Sequence, residues 1–251
     1  MSKRTILILL LITGFITLKA QEIITDRPDQ TESSSTIPNK SFQLESGVYL
    51  GNIDIENRSE RISLIPTVLL RYGLTRTFEL RLVEQVVNLK NKSTSENIFG
   101  FSDLELGTKI QILKKETINS EIAFITHLLI PTGTDSLTNE NFGSINKVAI
   151  SHVLNDFLDL GYNVGYNYFF TGNGDLTYSL ALGVGLSKKV GTYFEVFGEI
   201  AELNDWISNF DGGITYLIKD NMQLDFSVGV GLNQQMNYFA LGFSWNLSEK
   251  Q

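Results

Sequence analysis

Ionisable residues recur at alternate positions along this chain: Glu79 and Arg81, then Asp103, Glu105 and Lys109, then Glu195 and Glu199. Arg71, Lys147, Asp159, Asp211, Asp225 and His127 occupy comparable places in stretches of otherwise apolar and small residues. Acids and bases brought to one surface in this way can do two kinds of chemistry. They can pair with one another and with water, because a buried charge left alone is costly. Alternatively they can line a pore and bias what passes through it. Further upstream, the polar stretch 22–40 carries Asp26, Arg27, Asp29 and Glu32.

Nucleophilic and metal chemistry have little to build on. The chain has two histidines and no cysteine, which removes disulfides, thiolate metal sites and lipid attachment through a thiol. Ser151 and His152 are adjacent, so in a strand they point to opposite faces and are poorly placed to form a Ser–His pair. Gly183-Val184-Gly185 and Gly229-Val230-Gly231 look like nucleotide loops but sit inside alternating segments with no helix after them. No cofactor is expected. A net charge of −8 argues against nucleic acid, whose binding needs clustered Lys and Arg.

The elements that must position these groups have a period of two. Leu158, Leu160, Tyr162, Val164, Tyr166 and Tyr168 alternate with Asp159, Gly161, Asn163, Gly165 and Asn167, one greasy face against one polar or bare face. The same pattern predicts strands near 41–51, 61–72, 76–87, 101–113, 119–130, 145–154, 157–169, 175–187, 192–202, 207–218, 221–232 and 236–247. Tight breaks such as Asn155-Asp156 alternate with longer ones such as Thr132 to Ser144. Twelve strands of this length, about ten residues each, are long enough to cross a bilayer when tilted. Aromatic residues gather at strand ends, Tyr72, Phe78, Phe194, Tyr216 and Trp245 at one level and Tyr166, Tyr168 and Tyr178 at the other. The expected fold is all-β: a transmembrane antiparallel up-and-down β-barrel among membrane lipids. A soluble sandwich, the competing architecture, accommodates Asp, Glu and Lys poorly in its dry interior.

On the assigned parity the charged set faces the lumen, while Glu84 faces lipid unless a bulge shifts the phase after Leu82. The inward glycines, among them Gly47, Gly107, Gly161, Gly183 and Gly185, either widen the lumen or permit bending. Residues 1–20, with Lys3 and Arg4 before an apolar stretch and Leu18-Lys19-Ala20 at its end, read as a signal peptide for Sec-type export. The expected organisation is then a periplasmic segment 21–40, a barrel over 41–247 and a short tail 248–251. The segment is either a loose tail or a plug in which Asp26, Arg27 and Asp29 enter the mouth, Arg27 facing the acidic level of Glu79, Asp159, Glu195 and Asp225. The last strand, with Phe239, Leu241, Phe243 and Trp245 on its apolar face, is the kind read by the outer-membrane assembly machinery, although Leu247 and a polar tail follow.

The run Thr25-Asp26-Arg27-Pro28-Asp29-Gln30-Thr31-Glu32-Ser33 resembles the opening of a family of outer-membrane proteins labelled phenol-degradation-pathway (MetA-type) transporters. Leu70-Arg71-Tyr72-Gly73-Leu74-Thr75, Phe78-Glu79-Leu80-Arg81, Gly100-Phe101-Ser102-Asp103-Leu104 and Ser151-His152 followed by Leu154 extend the resemblance. It implies an outer-membrane channel or transporter passing small-molecule solutes, often hydrophobic or aromatic. Two other classes stay open at this point: a closed structural or adhesion barrel, and a lipid-modifying enzyme.

Overall fold

The computed structural model describes residues 23–55, 58–115 and 119–247; the expected signal peptide and tail lie outside them. The strands are β1 (Phe42–Ile55), β2 (Arg58–Gly73), β3 (Phe78–Asn91), β4 (Asn97–Phe101), β5 (Leu104–Lys115), β6 (Ser120–Ile130), β7 (Gly143–Asn155), β8 (Leu158–Tyr168), β9 (Asp175–Gly185), β10 (Val190–Ala201), β11 (Asp205–Lys219), β12 (Met222–Gly231) and β13 (Gln235–Asn246). Each is antiparallel to its neighbour, and the sheet closes on itself where β1 meets β13, from Gln43 opposite Asn246 to Asp54 opposite Gln235. Closure pairs the staves all the way round, which is what a lipid setting demands of a sheet; among the described residues only β4, which pairs with β3 alone, keeps an edge without a strand partner.

Thirteen segments make twelve staves. β3 pairs with β5 over its first half and with β4 over its second, so β4 and β5 together form one strand interrupted at Ser102-Asp103. The apolar phase changes at that point, from Phe99 and Phe101 to Leu104 and Leu106. β2 is irregular between Leu64 and Thr67, where Pro66, which has no N–H to give, stands in the gap of the ladder. β3 itself keeps its register there, so Glu84 stays on the outer parity, its carboxylate held by the Ser102 hydroxyl at 3.2 Å.

The distribution of side chains is inverted relative to a soluble domain. Val164, Leu180 and Leu241 are exposed at 54%, 50% and 51%, whereas Arg71, Lys109, Glu79 and Asp211 are each at 0%. Apolar residues thus face outward around the wall and charged ones face in, the arrangement that hydrocarbon outside and a polar interior select. Exposed Tyr72, Phe194, Tyr216 and Trp245 mark one rim, next to the tight turns. Tyr166, Trp206 and Phe170 mark the other, next to the longer loops.

Candidate functional site

Residues 23–41 run inside the barrel. The segment enters at the tight-turn end, where Ile23 N–H donates to the Asp220 carbonyl at 3.0 Å. It crosses the lumen, turns, and comes back to β1 through Ile37, whose N–H donates to Glu79 at 2.9 Å. Along the way it bonds to many staves. The Ile24 carbonyl accepts from Gln43 and Arg71, Gln30 N–H donates to Glu195, Glu32 N–H donates to Asn163, and Ser34 and Ser151 share a hydroxyl contact. Thr31 donates to Glu195 and Ser35 to Glu121.

Two walls of opposite charge hold it. On β2, β3 and β5, Arg71, Arg81 and Lys109 converge on the Asp26 carboxylate: Lys109 Nζ lies 2.8 Å from both oxygens, Arg81 2.6 Å and Arg71 3.3 Å from Oδ2. Glu45 and Glu79 complete the cluster through Arg71, at 2.8 and 2.9 Å. Burial by itself would raise the Asp26 carboxyl, but the pull of Arg71, Lys109 and Arg81 overrides it and holds the group well below the usual carboxylate range. Glu32 bridges Arg81 and Lys147 at 2.6 and 2.7 Å. His127 continues the network, accepting from Arg81 at 3.0 Å on one nitrogen and meeting Glu105 at 2.6 Å with the other.

The facing wall, β8 to β12, bears Asp159, Glu195, Glu199, Asp211 and Asp225 and no arginine. Arg27 reaches across to it and holds Asp225 with two nitrogens, at 3.1 and 3.3 Å. Its guanidinium lies in a slot left by two cross-strand glycines, Gly47 and Gly242; a Cβ on Gly242 would come within 2.3–2.5 Å of three guanidinium-end atoms. Adjacent residues of an extended chain point opposite ways. That is why Asp26 and Arg27 can serve opposite walls.

The segment divides the interior. A cavity of about 1040 Å³ lies toward the tight turns, bordered by Phe157, Asp159, Gly183, Gly185 and Lys188. A second, of about 520 Å³, lies toward the loops and is bordered by Tyr49, Leu64, Val83, Phe197, Met236 and Tyr238. Arg27, Pro28, Asp29 and Glu32 border both. Tyr49 and Tyr238 stack with centroids 4.9 Å apart, and the Tyr238 hydroxyl donates to Asp211 at 2.5 Å.

Asp29 borders both cavities. Enclosure within the barrel, and then the nearby carboxylates of Asp211, Asp26 and Asp225, push its carboxyl up to about 8. The docked segment therefore binds this proton more tightly than a free one would. The contribution of Asp29 to docking is present in full below the ordinary aspartate value of about 4 and is lost as pH rises through about 8, whereas the contribution of Asp26, whose carboxyl is held low, is present above about 4. Ion current through the barrel is accordingly expected to rise between those limits, with a flattened profile in Asp29→Asn. Equal profiles for the two chains would remove Asp29 as the titrating group.

Other sequence candidates land elsewhere. Asp103, expected in the lumen, sits at the break between β4 and β5 and anchors the 131–142 loop, accepting from Gly133 N–H at 2.9 Å and Asn139 N–H at 2.8 Å. Of the acidic level proposed to meet Arg27, only Asp225 pairs with it; Glu79 belongs to Arg71 and Arg81, Glu195 to Gln30 and Thr31, and Asp159 borders the larger cavity. Glu45 was not singled out from sequence, although it shares the parity of Gly47. Ser151 turns inward to Ser34, and His152 faces outward between Ser120 at 2.6 Å and Tyr162 at 3.2 Å, so the two do not combine.

Comparison with solved structures gives the same architecture. The COG4313 outer membrane channel from Pseudomonas putida F1 superposes with a TM-score of 0.72 at 11% identity, covering 88% of this chain and 99% of that one. The KdgM porin, solved with disordered oligogalacturonate, gives 0.57 at 10% identity over 82% and 99% of the two chains. The NanC porin gives 0.53 at 8% identity over 80% and 100%. Identities this low speak for a shared outer-membrane barrel fold. A search of curated proteins finds no match. A family model described as "Putative MetA-pathway of phenol degradation" matches residues 25–248, from the Thr25-Asp26-Arg27-Pro28 turn inside the lumen to the end of the closing strand, and the chain belongs to that family.

Proposed function

We propose that this outer-membrane barrel is a passive channel for small compounds, hydrophobic or aromatic ones included, and that residues 23–41 are its plug. One observation carries the reading. The two cavities are parted by Arg27, Pro28, Asp29 and Glu32, which belong to the N-terminal segment and not to the barrel wall. Twelve strands lie between the eight that side chains fill and the sixteen or more that leave a wide aqueous channel, so a narrow path is what the wall itself provides. The loop-side cavity suits an aromatic guest, with stacked Tyr49 and Tyr238, Phe197 and Met236 on one part of its wall and Arg81, Glu105 and Lys147 on another.

Swelling of proteoliposomes tests this. Vesicles carrying the full chain should admit a small sugar such as arabinose slowly, and Arg27→Ala, which releases the Asp225 contact, should admit it several times faster. Entry no faster than into protein-free vesicles for both chains would leave a closed structural barrel as the better account.

A further inference from the structure

We infer that Arg71, Arg81 and Lys109 form a carboxylate-binding seat, filled in the closed barrel by the plug's own Asp26 and available to the carboxylate of a small solute once that side chain withdraws. The inference rests on the plugged-channel reading and adds a substrate class to it. The seat is built from the wall, one cation from each of three neighbouring strands, β2, β3 and β5. Its occupant comes from a segment outside the wall, so the two are separable.

Charge counting favours an incoming anion. With Asp26 gone, Arg71 keeps Glu45 and Glu79, and Arg81 keeps Glu79 and Glu32, so the two guanidinium groups remain paired. Lys109 loses its close ion pair, which among the described residues goes only to Asp26, and keeps Glu79 as a cross-strand neighbour that is already shared by two arginines. A fully enclosed ammonium with no carboxylate in direct contact is disfavoured, and the seat draws an anion to restore that contact. Shape narrows the class. Lys109 addresses both oxygens of one carboxylate while the arginines approach Oδ2 alone, and Ser33 N–H adds a bond to Oδ1 at 2.8 Å. That is a cradle for a flat two-oxygen group.

Access is also provided for. Asp26 and Arg81 both border the loop-side cavity, whose other wall is the Tyr49–Tyr238 stack. A solute with an aromatic ring and a carboxylate can rest its ring there while its acid competes for Arg81 and Lys109. Displacing Asp26 in this way couples recognition of the solute to release of the plug.

Asp26→Ala in the full chain tests the seat, because it leaves a carboxylate-sized gap between the three cations. Sodium acetate should raise the unfolding temperature of this variant in detergent by about 3 °C or more over sodium chloride at equal ionic strength. Acetamide, the neutral isostere, should not, and the wild-type chain, whose seat is filled, should not respond. No shift, or equal shifts in acetate, chloride and acetamide, would overturn the inference. If the alanine variant does not fold, wild type in planar bilayers answers the same question: benzoate on the loop side should raise the open fraction, benzamide should not, and Lys109→Met should lose the response. Equal responses to benzoate and benzamide count against the seat. Acetate stabilisation with no current through any variant would uphold the seat and remove the channel; current in the variants with no acetate effect would do the reverse.

Discussion

Replacing Arg71 with methionine is expected to cost the barrel about 3–5 kcal/mol, the range for removing one partner from a buried ionic cluster. The guanidinium is wholly enclosed and bonds Glu79 at 2.9 and 3.0 Å, Glu45 at 2.8 Å, and the carbonyls of Ile24 and Ser35 at 3.0 and 3.4 Å. Methionine fills a similar length but returns none of this. Glu45 is left against Gln43 and the Asp26 N–H, and Glu79 against Arg81 and the Ile37 N–H. Both the wall and the plug therefore loosen. Urea titration of the refolded barrel, followed through Trp206 and Trp245 fluorescence and by heat-modifiable migration on a gel, measures the loss. Adding Glu45→Gln to Arg71→Met should recover part of it, since the second change removes the stranded charge. A single-variant loss below about 1 kcal/mol would mean that the cluster is hydrated like a surface ion pair and does not hold the structure together.

That cluster also marks how far the sequence could be read. Alternation over Leu158 to Tyr168 announces a strand because one face must meet hydrocarbon, and the observed β8 spans those residues. Strand existence, parity and the barrel itself follow from such local rules. The break at Ser102-Asp103 is equally local, written in the shift of apolar residues from odd to even positions, whereas the sequence reading starts a strand at 101 and assigns residues 88–100, where β4 lies, to a loop.

The course of residues 23–41 is harder to read for a different reason. Arg27 and Asp225 are separated by 198 positions and Thr31 and Ser179 by 148, and nothing in a period of two says which stave an incoming segment will meet. Glycine supplied the missing clue in hindsight. Gly47 and Gly242 face each other across the β1–β13 seam, and Gly161 leaves Thr31 its place, so several bare lumen positions are contact points for residues 27–31 and not simple widening of the bore. Gly183 and Gly185, by contrast, border open space.

Deleting residues 22–34 is expected to raise single-channel conductance several-fold, because it removes every residue of the partition at once and joins the cavities of about 1040 and 520 Å³ into one path. The deletion also withdraws Asp26 and Glu32 from Arg71, Arg81, Lys109 and Lys147, so a lower stability accompanies it. A milder change separates the two effects. Gly242→Ala leaves every plug residue and every wall charge in place, but its new Cβ would claim the space of the Arg27 guanidinium, which must swing out of its slot and away from Asp225. Alanine is readily carried by a strand, so the barrel should unfold as before. Current through Gly242→Ala should then lie between wild type and the deletion, with frequent brief openings as the segment detaches on its Arg27 side while Asp26 holds the other. Deletion and wild-type channels of equal conductance would show that the bore is limited elsewhere along the wall, and the N-terminal segment would be a structural strut.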